Sequence, residues 1–325
     1  MKTAIILVTG ACGQIGTELT SLLREKYGSD AVFAADIQAP VAPLKEKEYG
    51  LELDIRDKDM LQRIVRSFHI TQIYHLAAVL SASGEQDPQR TWAINMQGLL
   101  NVLEVAREEQ VSKVFWPSSI AVFGANNFRA ACPQHTVTQP GTIYGISKSA
   151  GEQWCNYYFE KYKLDVRSIR FPGLISHTAQ PGGGTTDYAV DIFQQALRTL
   201  HYTCYLNRAT CLPFLYMPDA IRAIVELMEA PAASLSVRTA YNLAGMSFSP
   251  AELAAEISKA LPRFKMKYRP DFRQKIADSW PSGIDDRHAR HDWGWQPEYN
   301  LESMVKDMIH HIVLKINGWE SVHNA

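Results

Sequence analysis

The spacing of apolar residues changes period several times along the chain, and each change marks an element. Ala4 to Thr9 is a β-rich apolar run without strict alternation, the pattern of a central parallel strand covered on both faces. Apolar positions then recur at helical spacing to about Lys26, and a second short apolar run, Ala31 to Ala35, ends in Asp36. The alternation repeats with a strand from Tyr49 to Leu53, a helix from about Asp57 to Phe68, a strand from Gln72 to Leu76, and a helix over 91–107. A strand from Lys113 to Trp116, a helix after Tyr144 and a strand before Phe171 complete the series. Strands alternating with helices predict an α/β protein built on a Rossmann-type, doubly wound parallel sheet.

The last third predicts a small C-terminal α/β lobe. Ser249-Pro250 opens a helix with a cap residue and an N1 proline, Lys265 to Arg269 alternates like a strand, and Leu301 to Leu314 is amphipathic. The expected division is a cofactor-binding part over 1–172 with a return segment at 213–245. The remainder, 173–212 and 246–325, forms the second lobe, with a lid loop at 178–190. Two helices are apolar on more than one face. Over 91–107 one stripe is Trp92, Met96, Leu99, Leu103 and Ala106, and another is Ile94, Val102 and Val105; over 147–162 the apolar set includes Trp154, Tyr157, Tyr158 and Phe159. A helix with two apolar stripes needs two surfaces to pack on. The expectation is a homodimer through these two helices, and burial under the second lobe is the alternative.

Composition narrows the partners. The 325 residues are 46% hydrophobic and 21% charged with a formal net charge of -1, so no nucleic acid or anionic membrane is expected as a partner, and a small-molecule substrate is. No apolar run approaches the length of a membrane span, and five cysteines without a Cys-x-x-Cys pair suggest neither disulfides nor structural zinc. A cytoplasmic location is the expectation. The histidines show no metal-binding spacing and there is no Gly-x-Ser-x-Gly elbow, so metal-free chemistry is expected.

The chemistry-bearing residues fall at the ends of strands. Gly10-x-x-Gly13-Gln14-Ile15-Gly16 follows the first strand and opens a helix, which lets backbone approach a pyrophosphate at a helix N-terminus. Read alone, the same glycines fit an ordinary tight turn. Asp36 lies 20 residues past Gly16, where a carboxylate accepts from a ribose 2′-hydroxyl and repels a 2′-phosphate, so NAD is favoured over NADP. Tyr144 and Lys148 are four apart at a helix start and so share one face. An ammonium beside a phenol favours the phenolate, which makes Tyr144 a candidate base, although the pair alone also fits a solvated helix surface. Trp280, Trp293 and Trp295 read as core anchors.

In order along the chain stand the glycine turn, Asp36, Asp54-Ile55, His75-Leu76-Ala77-Ala78, Asn95-x-x-Gly98, Ser118-Ser119 and Tyr144-x-x-x-Lys148. This series resembles the extended short-chain dehydrogenase/reductase family. The resemblance implies bound NAD held by Gly10, Gly13, Gln14, Ile15, Gly16, Asp36, Asp54, Ile55, Leu76, Ala77, Ala78, Asn95, Tyr144 and Lys148, with Pro172 in a turn beside the nicotinamide. It implies Tyr144 as base, Lys148 as its partner, Ser119 or Ser118 on the reacting oxygen, and Asn95 completing a proton relay. Pro181 to Ala189 and Lys275 to Pro281, with Asp292-Trp293-Gly294-Trp295, further resemble the branch of that family that oxidises the secondary alcohol of L-threonine. That likeness implies substrate contacts from Ser81, Ser119, Tyr144, Gly184, Thr185, Thr186 and Asp187. The alternative on the same scaffold is a sugar-nucleotide epimerase or dehydratase.

Overall fold

In the computed structural model, residues 4–38, 49–124, 130–178 and 183–323 are described, with side chains in the last helix to Ile316. Six strands follow in chain order: β1 (Ile6–Thr9), β2 (Val32–Asp36), β3 (Tyr49–Glu52), β4 (Gln72–His75), β5 (Lys113–Ser119) and β6 (Asp165–Phe171). With the edge strand Tyr241–Asn242 beside β6 they form one parallel sheet in the order 3-2-1-4-5-6 and then the edge strand. The order reverses between β1 and β4, and such a switch leaves a crevice beyond the strand C-termini.

Both faces of the sheet are covered, which is why β1 shows no alternation. Ile6 and Val8 pack with Leu19 and Leu23 of the helix Gln14–Tyr27 and with the helix Met217–Glu229. Leu7 packs on the other side with Leu61, Leu99 and Tyr158, from the helices Lys58–Ser67, Gly98–Glu108 and Ile143–Tyr162. The helical run expected over 91–107 is present as Pro88–Trp92, a π-helical stretch Ala93–Gln97 and Gly98–Glu108.

The second lobe holds a three-stranded sheet of Gly173–Ile175, Leu212–Tyr216 and Met246–Phe248, and a parallel pair, His201–Cys204 with Lys265–Tyr268. The helices Tyr188–Thr199, Pro250–Ala260 and Leu301–His323 pack against these strands around Phe193, Phe214, Leu253 and Met308. Ser249 caps its helix in a reciprocal capping box with Glu252, which satisfies orphan amides at both residues. Among the described residues no helix is long and apolar enough to cross a membrane.

Part of the second stripe of the 91–107 helix is covered from inside the chain. Val102 and Val105 of that stripe are fully buried within this one chain, in the same cluster as Leu61 and Val65. The neighbouring helix Lys58–Ser67 covers that face, while Ile94 of the same stripe stays partly exposed. Of the large apolar residues on these two helical runs, the exposed ones among the described residues are Trp92 on the first and Ile146, Trp154, Tyr157 and Tyr162 on the helix Ile143–Tyr162.

Candidate active site

A cleft of about 330 Å³ runs across the C-terminal ends of the strands, from the glycine turn to the second lobe. Gly10, Gly13, Gln14, Ile15 and Gly16 form one end. Gly10 has φ +73°, and a Cβ there would lie 2.5 Å from the Ala77 amide nitrogen, so only glycine lets the turn pack on the strand end. The helix Gln14–Tyr27 starts with no side-chain cap on its first amides, and those donors suit a phosphate. Asp36 stands at the tip of β2 with Oδ2 accepting from Cys12 N at 2.9 Å and Oδ1 from Ile37 N at 2.8 Å. Uncapped amides, glycine backbone and a carboxylate beside them form a donor and acceptor set that fits a dinucleotide with a free ribose hydroxyl.

Ser119 and Tyr144 meet in the middle of the cleft. Thr142 caps the helix Ile143–Tyr162, accepting from Gly145 N at 3.1 Å. A Cβ at Gly145 would collide with the Ala121 carbonyl and one at Gly151 with the Trp116 ring, so these glycines let the helix lie directly on β5. Tyr144 and Ser119 are hydrogen-bonded. Lys148 is buried and donates to Pro117 O at 2.6 Å, with its Nζ 4.4 Å from the Trp116 ring centroid and 5.5 Å from that of Tyr144.

The electrostatics correct a simple expectation. Burial pushes the Tyr144 phenol up to about 12 against the pull of the Ser119 hydrogen bond, and burial draws Lys148 down to about 7. Lysine proximity alone therefore does not make a neutral-pH base. Burial shifts both groups toward their neutral forms because their charges lose water, and a cationic nicotinamide ring would add a positive charge that favours the phenolate.

The two serines separate. Ser118 Oγ donates to Glu152 Oε1 at 2.6 Å, behind the cleft, whereas Ser119 holds Tyr144. Asn95 is committed to the turn after β4: Oδ1 accepts from Val79 N at 2.8 Å, and Nδ2 donates to Val79 O at 3.1 Å and Ser147 Oγ at 3.2 Å. It thus touches the residue before Lys148 and not Lys148 itself.

Of the lid loop expected over 178–190, residues 179–182 lie outside the described residues. Thr185 N and Ser81 Oγ are 3.3 Å apart, as are the two hydroxyls, and Ser83 N donates to Gly183 O at 3.3 Å. Asp187 Oδ2 accepts from Gly183 N at 2.9 Å and Gly184 N at 2.7 Å. Burial raises Asp187 to about 6 in spite of those bonds. Its Oδ1 is given no partner by this pair and lies on the Gly184 side. Gly184, Thr185, Thr186 and Asp187 all line the cleft.

Leu76, Ala78, Ser81, Ser118, Ser119, Tyr144, Lys148 and Pro172 also line it, while Asp36, Asp54, Ile55, Ala77 and Asn95 do not. Asp54 is forked to Arg56 at 2.6 Å on the surface, and Ile55 packs against Gly98. Sequence reasoning missed Trp280, which belongs to the second lobe's core and also forms a wall of the cleft. Trp293 and Trp295 do pack in the core. The signal for Trp280 was its place in Lys275 to Pro281, the stretch that carried the closer resemblance.

A doubly wound sheet with a dinucleotide cradle at the switch point and a Ser/Tyr/Lys group farther along the same cleft defines an NAD-dependent oxidoreductase scaffold. The sequence profile of the NAD dependent epimerase/dehydratase family matches residues 6–244. The chain belongs to that family. It is 47% identical over 313 residues to an uncharacterised epimerase/dehydratase of Staphylococcus aureus (strain MRSA252), covering 95% of this chain and 97% of that protein. An L-threonine dehydrogenase from Cupriavidus necator in its holo form superposes with TM-score 0.92 at 52% identity, covering 94% of this chain and 99% of that one. A monomeric L-threonine 3-dehydrogenase from a metagenome superposes with TM-score 0.91 at 47% identity, over 95% and 99% of the two chains.

Proposed function

We propose that the protein is an L-threonine 3-dehydrogenase, oxidising the 3-hydroxyl of L-threonine to 2-amino-3-oxobutanoate. The observation that carries this reading is the cleft beside Ser119 and Tyr144: a small polar chamber of Ser81, Thr185, Thr186 and Asp187 backed by Trp280. Lys148 is the one cation among the described residues lining it. Among the described residues no arginine or second lysine lines the cleft to clasp a sugar-nucleotide diphosphate, so the epimerase alternative is the poorer fit.

NAD+, held along the glycine turn, Asp36, the Leu76 to Ala78 strand end and Pro172, supplies the hydride acceptor. Tyr144, in the phenolate form that the Lys148 ammonium stabilises, takes the proton of the 3-hydroxyl and becomes the neutral phenol, while Ser119 holds the oxygen. Asp187 Oδ1 receives the substrate ammonium, and the Ser81 and Thr185 hydroxyls receive the carboxylate. The Gly183 to Asp187 segment, tied to Ser81 and Ser83, excludes water above the reacting carbon. The cofactor part over 1–172 with 213–245, the substrate lobe, a cytoplasmic location and a homodimer belong to the same proposal. Neighbouring structures that bear the threonine dehydrogenase name support the dehydrogenase reading at 40% identity and above.

The test is NADH formation from NAD+ with L-threonine, D-threonine, L-serine or UDP-sugars, with and without a chelator. Chelator-insensitive turnover confined to L-threonine is expected. Interconversion of a sugar nucleotide without net NADH, and none with threonine, would overturn the assignment.

A further inference from the structure

A charged network lies behind the serine pair, and the mechanism above makes no use of it. Glu152 is one helical turn beyond Lys148 on the same face and is 1% exposed. Its Oε1 accepts from Ser118 Oγ at 2.6 Å and from Arg170 Nε at 2.8 Å, and its Oε2 from Arg170 Nη2 at 2.7 Å. Arg170, also buried, donates through Nη1 to Gln134 O at 2.9 Å and Asn242 Oδ1 at 3.1 Å. Asn242 in turn donates to the carbonyls of Cys132 and Asp285. One carboxylate therefore joins the end of β5, which carries Ser119, and the end of β6, which leads to Pro172, to the helix of Tyr144 and Lys148. Through Asp285 it also reaches the second-lobe segment that follows Trp280.

A buried ion pair is weak support for stability, since desolvation offsets most of its attraction. Its position suggests another use. Around Lys148, its own helix presents Tyr144, Glu152 and Cys155, β4 presents His75, and β5 presents the Trp116 ring and Pro117 carbonyl. Burial drives the Tyr144 phenol and the Cys155 thiol up, and burial with the nearby Lys148 charge drives His75 down to about 3, so all three are neutral near pH 7. Glu152, one turn along the helix and forked to the Arg170 guanidinium of β6, is then the carboxylate beside Lys148, and its pull opposes the burial that strips the lysine of its proton.

We propose that Glu152 is a positioning residue for proton transfer, holding Lys148 as an ammonium by its charge and holding the serine and Pro172 strand ends in register by its bonds to Ser118 and Arg170. The inference rests on reading Tyr144 and Lys148 as the proton-handling pair. It predicts that Glu152→Gln, which keeps an acceptor for Ser118 but removes the charge, makes Lys148 lose its proton more easily.

The experiment follows the Lys148 Cε resonance in isotope-labelled protein as pH is raised, assigned with Lys148→Arg, alongside kcat. In Glu152→Gln the midpoint should fall by roughly half a pH unit or more, with kcat at neutral pH lowered roughly tenfold or more. Glu152→Asp should keep the midpoint near that of the unaltered protein. Should Glu152→Gln fail to fold because Arg170 is stranded, the double variant Glu152→Gln/Arg170→Met leaves no unpaired charge and is read in its place, with a smaller fall in the same direction. An unmoved Lys148 midpoint in the folded variant overturns the proposal, whatever happens to kcat. The titration needs no substrate, so inactivity of the unaltered protein on L-threonine would sink the dehydrogenase reading and still leave this test standing.

Discussion

At the scale of single residues, the site separates groups that look equivalent in sequence. Ser118 and Ser119 are adjacent and chemically identical, yet strand alternation turns one toward Glu152 and brings the other to Tyr144. Ser119→Ala should therefore cost kcat roughly 10²-fold or more, measured as steady-state NADH formation, with cofactor affinity little changed. Asp187 gives a pH test. Its carboxyl is raised to about 6, so it is protonated as pH falls through that value and loses the charge that receives an ammonium. KM for L-threonine should rise on acidification below about 6, and Asp187→Asn should raise KM roughly tenfold or more and flatten that dependence. A KM of the variant that still climbs on acidification would assign the dependence to another group. The placement of the glycine turn, Asp36, Tyr144 and Lys148 at strand and helix ends was legible because it follows from order and spacing. The partition of the serines and the commitment of Asn95 to Val79 depend on which way a side chain turns, and spacing carries no such information.

At the scale of elements, strands and helices were readable from periodicity, and their covering surfaces were not. Val102 and Val105 formed a genuine second apolar stripe, but its partner is the helix Lys58–Ser67, some forty residues earlier in the chain. An amphipathic pattern specifies that a face is buried and leaves open what buries it. The helix Ile143–Tyr162 shows how an element aims chemistry. Its start is fixed by Thr142, and its closeness to β5 by two glycines, so the first turn delivers Tyr144 to Ser119. Thr142→Ala removes the cap and should destabilise the fold by about 1 kcal/mol. Because the frayed turn carries Tyr144, kcat should fall by more than that loss of stability explains. Thermal melting and turnover on the same sample separate the two effects.

For the whole molecule, the open issue is what covers the aromatic face of that same helix. Trp154 and Tyr157 remain 38% and 42% exposed, flanked by Ile146 and Tyr162, and the rings touch one another edge to face in a continuous strip. Aromatic rings carry much of the energy of protein interfaces, and a strip centred on one helix suits a two-fold contact in which the helix meets its own copy. The first helical run contributes Trp92 with the partly exposed Ile94 and Leu100, since its valines are consumed inside the chain, so the contact should centre on the Ile143–Tyr162 helix. Tyr157 also accepts a hydrogen bond from Lys161 at 2.6 Å and Lys161 lies over the Tyr162 ring, which gives the strip a charged border of the kind that solvated rims show. Sedimentation should report a dimer, and Trp154→Glu with Tyr157→Glu should yield a monomer. Loss of activity on dissociation would mean that pairing steadies the helix that presents Tyr144 and Lys148. A monomer from the outset would place the chain with its monomeric structural neighbour and leave the strip explained by intrachain ring packing and lysine contacts.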